Sequence, residues 1–309
     1  MSVAVDIHDV PVSRRADGTP WSLRFVELRG SAPGPTTAIV AGVFGDKPLA
    51  TMALWALVAR VRELGDLAGS VVLCPAANPP ALEAGTRVSP DHLYLNRVFP
   101  GQAGGFLTNQ IAHALLRELL ERTDHVVDLH SGSPTMALWY TYDYGDLELS
   151  ASFGYTPVVT GFAQSGQLSK AVVDAGGRSM LVEFGGGALG DPSVGVEGCL
   201  NVLRYRGHVG GDVTGPRRVP VVDGDVTLYV PSSVGVLTSR YPTTHVGKPV
   251  EAGPVARLES PGTGELLEEF EVDRDGLLLL ANASPAMVAP GAFAATVAYP
   301  SRELDVPGA

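Results

Sequence analysis

The stretch Ala38-Ile39-Val40-Ala41-Gly42-Val43-Phe44-Gly45-Asp46-Lys47-Pro48 decides the fold class. Its apolar, β-type opening breaks at glycines and passes directly into a run in which Leu49, Met52, Ala53, Leu57, Val61 and Leu64 recur at helical spacing. Asp46 falls near the expected helix cap, and Pro48 falls in the first turn, where a missing N–H matters least. The pattern predicts strand, tight loop, helix, with Phe44 and Lys47 in the loop. In open α/β sheets, loops at the carboxyl ends of strands line the ligand crevice, so chemistry is expected here.

Two later stretches repeat the pattern. Residues 125–129 form an apolar run closing at His130-Ser131-Gly132, and residues 179–182 form another closing at Glu183-Phe184-Gly185-Gly186-Gly187, ahead of a helix opened by Asp191-Pro192. Three strand ends are thus expected on one rim. Around them lie a β-rich lead at 21–28, a strand at 69–75 and an irregular segment at 76–105 that is dense in Pro, Gly and Asn. Loops of that length inside compact domains usually carry function. Residues 108–121 read as an amphipathic helix through Ile111, Ala112, Leu115, Leu116 and Leu119. After residue 210 the pattern changes to short strands at 226–230, 235–238, 256–259, 268–272, 277–280 and 294–298, without a long helical stripe. That change predicts an α/β domain at 1–209 and a smaller all-β domain at 210–309.

Composition narrows the function classes. The 309 residues are 45% hydrophobic and 18% charged, enough apolar content for a large folded core. No apolar run reaches membrane-spanning length, and residues 1–9 lack the basic start and apolar core of a signal peptide. The expectation is a cytoplasmic protein without a membrane partner. A formal charge of −11 argues against nucleic acid. The two cysteines, Cys74 and Cys199, read as buried thiols rather than a disulfide. The oligomeric state is left open, a homo-oligomer among the alternatives.

Several residues carry chemistry with more than one reading. Within Asn96-Arg97-Val98-Phe99-Pro100-Gly101, an arginine fork could grip a carboxylate bidentately with Asn96 beside it, or the pair could anchor the loop; Arg87 shares the ambiguity. His130 suits a metal ligand, a general base or a satisfied core histidine, and Asp128 points the same way in an extended strand. Glu183 suits a general base or a carboxylate capping the glycine turn. Ser131 has no Gly-x-Ser-x-Gly elbow around it, which weakens a nucleophile reading.

Taken together, the order Gly-x-Phe-Gly-Asp-Lys-Pro, Ala77-Asn78-Pro79, Arg87, Leu95-Asn96-Arg97-Val98-Phe99-Pro100-Gly101, Asp128-Leu129-His130-Ser131 and Glu183-x-Gly resembles the succinylglutamate desuccinylase/aspartoacylase family of zinc carboxypeptidase-like proteins. The β-rich tail, with Val246-Gly247-Lys248-Pro249-Val250 and the Asp275-Gly276 turn, is similar to that family's C-terminal domain. The resemblance implies a zinc-carboxypeptidase-like mixed sheet flanked by helices, which cleaves amide bonds of small N-acylated amino acids. It implies that His130 matches a zinc ligand, Glu183 the general base, Asn96 and Arg97 the carboxylate clamp, and Arg87 the arginine that polarises the scissile carbonyl. Where the family has two further zinc ligands, a histidine and a glutamate, this chain has Phe44 and Lys47; the aspartate opening the Asp-Leu-Asn-Arg motif is Tyr94, which is counted with the substrate-binding residues. Catalytic zinc needs about three protein ligands, so no metal or other cofactor is expected. Two hypotheses result. In the first, the chain is an enzyme acting without zinc on a small carboxylate-bearing amide, with Lys47 near the former metal position and Glu183 and His130 moving protons. In the second, it is an inactive relative that binds a small carboxylate ligand.

Overall fold

The computed structural model describes residues 3–308. An antiparallel hairpin of β1 (Ala4–Arg14) and β2 (Pro20–Arg29) leads into β3 (Ala32–Val40), the loop at 41–47 and α1 (Pro48–Leu64). Strand, loop and helix stand where the glycines and the helical spacing place them. Lys47, rather than Asp46, is the residue at the cap, and Pro48 opens the helix. Leu49, Ala53, Leu57 and Val61 are buried as the spacing predicts, together with Leu54, whereas Met52 and Leu64 are exposed, at 53% and 39%. The stripe facing the sheet is therefore narrower than the sequence pattern. Next come β4 (Ala68–Cys74), the short α2 (Pro79–Ala84), a single 3₁₀ turn at Leu95–Arg97 and α3 (Leu107–Leu120). The chain continues through β5 (His125–Ser131), β6 (Met136–Asp143), α4 (Leu147–Ala151), β7 (Val158–Thr160), α5 (Leu168–Asp174), β8 (Arg178–Gly186) and α6 (Ser193–Tyr205).

At the centre of the main sheet, β4, β3, β5 and β8 run parallel in that spatial order. Alternate residues face opposite sides, as the strand period requires. Ile39, Val127 and Leu129 pack under α1 and α6, while Ala38, Val40 and Val126 pack under α3 and α5. Because the three central strands are parallel, their carboxyl ends meet on one edge. They deliver the loop at 41–47, His130 and Glu183 to the same rim.

The tail supplies β9 (Arg218–Asp223), β10 (Val226–Tyr229), β11 (Gly235–Ser239), β12 (Pro249–Val250), β13 (Gly253–Glu259), β14 (Leu266–Val272), β15 (Gly276–Asn282), β16 (Ala286–Val288), β17 (Ala295–Ala298) and β18 (Arg302–Asp305). All six short strands anticipated after residue 210 are present. Four of the tail strands, in the order β14-β13-β11-β16, form a small second sheet. Others extend the main sheet, whose order β8-β6-β15-β17-β10 carries hydrogen bonding across the change of pattern at 209/210. The change of pattern is therefore not a break in the sheet. Cys74 and Cys199 are buried free thiols, and burial pushes both up to about 12. Among the described residues no helix is long and apolar enough to cross a membrane.

Candidate active site

The loop at 41–47 is held by its close approach to α2. Gly45 donates its N–H to the Thr86 carbonyl at 3.0 Å, and a Cβ on Gly45 would lie 1.9 Å from the Ala81 carbonyl oxygen, so only glycine fits there. With the loop so placed, Lys47 points inward at 3% exposure and donates from Nζ to Oε1 and Oε2 of Glu183 at 3.2 and 3.3 Å. Glu183 is itself 7% exposed. The sequence ends its strand at this residue, but β8 continues to Gly186 because β6 pairs with it, setting Tyr140 opposite Glu183. Burial pushes the Lys47 ammonium below the ordinary lysine range, and the facing Glu183 carboxylate works in the opposite direction.

The Lys47–Glu183 pair lies in the wall of a cavity of about 190 Å³, which Phe44, Arg87, Asn96 and Arg97 also line. The structure thus brings together five of the seven site residues anticipated from the sequence. Arg87 places its guanidinium carbon 4.6 Å from the Phe44 ring centroid and lies 3.9 Å from the Asp46 carboxylate. Asn96 is buried and accepts the Leu168 N–H on its side-chain oxygen at 2.8 Å, so that oxygen anchors α5. Arg97 donates to the Asn96 carbonyl at 2.6 Å and lines both this cavity and a more open one of about 430 Å³ beside it.

The other two residues stand apart. Tyr94 is 45% exposed and lines only the outer cavity, 6.0 Å from the Arg87 guanidinium carbon. His130 does not line the inner cavity at all, because the Phe44 ring stands edge-on against it at 5.4 Å between centroids. Its Nε2 bonds Asp128 Oδ1 at 2.8 Å, so the two side chains do share a face, and its Nδ1 lies 3.9 Å from Glu183 Oε1. Asp128 is fully buried and its Oδ2 has no partner. Ser131 is also buried, with its hydroxyl accepting the Ala50 N–H at 3.3 Å.

The donor set does not fit a catalytic zinc. Phe44 has no donor atom and the Lys47 nitrogen is paired with Glu183, so of these three positions only His130, whose Nδ1 is not taken by Asp128, offers a ligand atom. Among the described residues no three His, Cys, Asp or Glu side chains are placed to hold a metal ion together, whereas such a site needs about three N, O or S ligands.

Residues that the sequence reading missed form one wall. Met136, Leu138, Tyr140 and Tyr142 all line the cavity from one face of β6. Their period-2 spacing is legible in the sequence and signals a strand. From the tail come Leu279 and Leu280, consecutive residues that both reach the cavity because the β15–β17 register shifts between Leu278 and Leu280. Burial pushes the Tyr140 phenol well above its ordinary range and Tyr142 up to about 12, so both are neutral hydroxyls near neutral pH.

Comparison with known proteins identifies the family and agrees with the fold. The profile of the succinylglutamate desuccinylase/aspartoacylase catalytic domain matches residues 33–194. An N-alpha-acetyl-L-2,4-diaminobutyric acid deacetylase of Halomonas elongata is 32% identical over 94% of this chain and 89% of its own. Among solved structures, a succinylglutamate desuccinylase from a Silicibacter species superposes with a TM-score of 0.81 at 28% identity, covering 97% of this chain and 95% of that one. The product-bound ectoine utilization protein of Ruegeria pomeroyi superposes with a TM-score of 0.82 at 26% identity, covering 96% and 95%. The chain belongs to the succinylglutamate desuccinylase/aspartoacylase family.

Proposed function

We propose that the protein is an amide hydrolase for a small, carboxylate-bearing N-acyl amino-acid-like substrate, and that Lys47 supplies, without zinc, the positive charge at the reacting carbonyl. The observation that carries this reading is the Lys47–Glu183 pair, a cation and a proton acceptor 3.2 Å apart in the wall of a cavity that two arginines also line. The deacetylase relative, matched along nearly the whole chain, supports amide hydrolysis as the reaction class.

In this reading Arg97, with Asn96 beside it, takes the substrate carboxylate, where a planar fork is worth more than a point charge. The scissile carbonyl oxygen lies toward the Lys47 ammonium and the Arg87 guanidinium, which stabilise the oxyanion as it forms. An arriving carbonyl draws Lys47 partly away from Glu183 and frees a carboxylate oxygen for water. Glu183 takes the water proton as the new C–O bond forms, then gives it to the nitrogen as the C–N bond breaks, releasing an acid and an amine. His130, behind Phe44, reaches the reaction only through Glu183 and carries protons by way of that carboxylate.

A second reading, a binding protein that has kept the pocket and lost turnover, is favoured by one feature: both Glu183 oxygens already face Lys47. The Glu183→Gln variant separates the two. Against a panel of N-acyl amino acids, an enzyme loses turnover by about a hundredfold or more while binding persists. Unchanged turnover in the variant overturns the role of Glu183. Ligands that shift the melting temperature of the wild type but are never cleaved decide for the binder.

A further inference from the structure

Resting on that reading, we infer that the preferred ligand carries, besides its carboxylate and amide, one uncharged apolar group of aromatic-ring size, and that Tyr142 and Phe162 hold its ring. The two arginines line both the inner and the outer cavity and therefore stand at their junction. Past them, among the described residues, the only charged side chains lining the inner cavity are Lys47 and Glu183, which are paired. The remaining inner wall carries no charge: it is apolar or aromatic apart from the neutral side chains of Asn96, Gln164, Gln167 and Thr296. Tyr142 stacks on Phe162 with centroids 5.6 Å apart and planes 5° from parallel, and Tyr140 tilts against Tyr142 at 4.6 Å. Val159, Leu181 and Leu279 complete this end.

A charge placed there would lose its water and find neutral side chains but no free counter-charge, which costs more than any apolar contact returns. This wall excludes a cationic side chain most strongly, and it excludes a second carboxylate because both arginines lie back at the junction, with Arg87 held between Phe44 and Asp46. Size agrees as well. A dry apolar cavity of about 150 Å³ takes a benzene ring, and the inner cavity measures about 190 Å³ with its mouth open to the outer one.

The experiment is calorimetric binding to Glu183→Gln, which prevents turnover, with initial rates on the wild type. The probes are N-acetyl-L-phenylalanine, N-benzoylglycine, N-acetylglycine, N-acetyl-L-aspartate, Nα-acetyl-L-2,4-diaminobutyrate and 3-phenylpropionate. At least one of the two aromatic amides binds about a hundredfold or more tightly than the aspartate and diaminobutyrate compounds. Which of the two wins tells whether the apolar group is the side chain or the acyl group. In Phe162→Ala the preference for the better aromatic amide over N-acetylglycine falls about tenfold, and Phe162→Tyr restores it. Tighter binding of either charged compound, or an unchanged preference in Phe162→Ala, overturns the inference while leaving amide hydrolysis standing. Binding of 3-phenylpropionate without either aromatic amide keeps the apolar site and overturns the amide reading. Binding of no probe overturns both.

Discussion

Lys47 and Glu183 are each nearly out of water, and a pair of this kind is more sensitive to losing one member than to losing both. Lys47→Met leaves the Glu183 carboxylate buried without a counter-charge and is expected to cost about 3–5 kcal/mol in urea unfolding. The double variant Lys47→Met with Glu183→Leu recovers most of that loss, since packed apolar side chains replace the pair. An equal loss in the single and double variants would show that the pair carries no coupling. The pH dependence follows with a definite sign. Burial lowers the folded-state pKa of Lys47 below its ordinary 10.5. Between the lowered value and 10.5 the unfolded chain therefore binds the extra proton, and stability rises with pH across that interval. The double variant lacks this contribution, so the wild-type curve is expected to climb relative to it on the alkaline side. Lys47 and Glu183 were both legible as site residues, Lys47 from its place in the loop after an apolar strand and Glu183 from its place at the close of one. Their pairing was not, since 136 positions separate them and only the parallel order of β3, β5 and β8 brings them together.

At the scale of elements, the proposed role of Lys47 as a charge in place of a metal is tested in the loop at 41–47. Lys47 and His130 both neighbour Phe44, with the Lys47 nitrogen 5.3 Å and the His130 ring 5.4 Å from the Phe44 ring centroid. Phe44→His together with Lys47→Glu would therefore set two donor side chains beside His130. Elemental analysis of the purified proteins is expected to find about one zinc per chain in the double variant and none in the parent. One equivalent of zinc in the parent would refute the reading of Lys47 as the replacement charge. Zinc in neither would mean that the Gly45–α2 contact holds the loop away from a ligand geometry. Other elements explain why part of the site escaped the sequence. Lys47, Arg97 and Glu183 declare themselves as charges one to three residues ahead of a proline or glycine. The wall of β6 consists of Met136, Leu138, Tyr140 and Tyr142, residues that serve equally well in a core, and only their alternation separates them from one.

The whole molecule adds what neither half carries. Short strands after residue 210 were legible from their turns, but their partners were not, because strand pairing depends on contacts far apart in sequence. In the folded chain Leu280 pairs with Leu138 and Ala281 with Ala137, so β15 continues the sheet begun by the first part of the chain. Trp139 packs into the core of the tail, and Leu279, Val226 and Phe293 from the tail close the inner cavity around Lys47 and Glu183. The tail is thus part of the pocket wall. Two units joined by a linker would melt separately, whereas a shared sheet predicts a single cooperative transition despite the length of the chain. Hydrogen exchange followed by mass spectrometry in increasing urea tests this directly. Peptides from β5, β6 and β8 and peptides from β15 and β17 are expected to lose protection at one common midpoint, and a ligand that fills the cavity should raise both together, because it binds only the assembled pocket. Two separated midpoints, or a ligand shift confined to the first group, would mean that the β6–β15 ladder does not couple the two parts, and that the tail does not close the pocket.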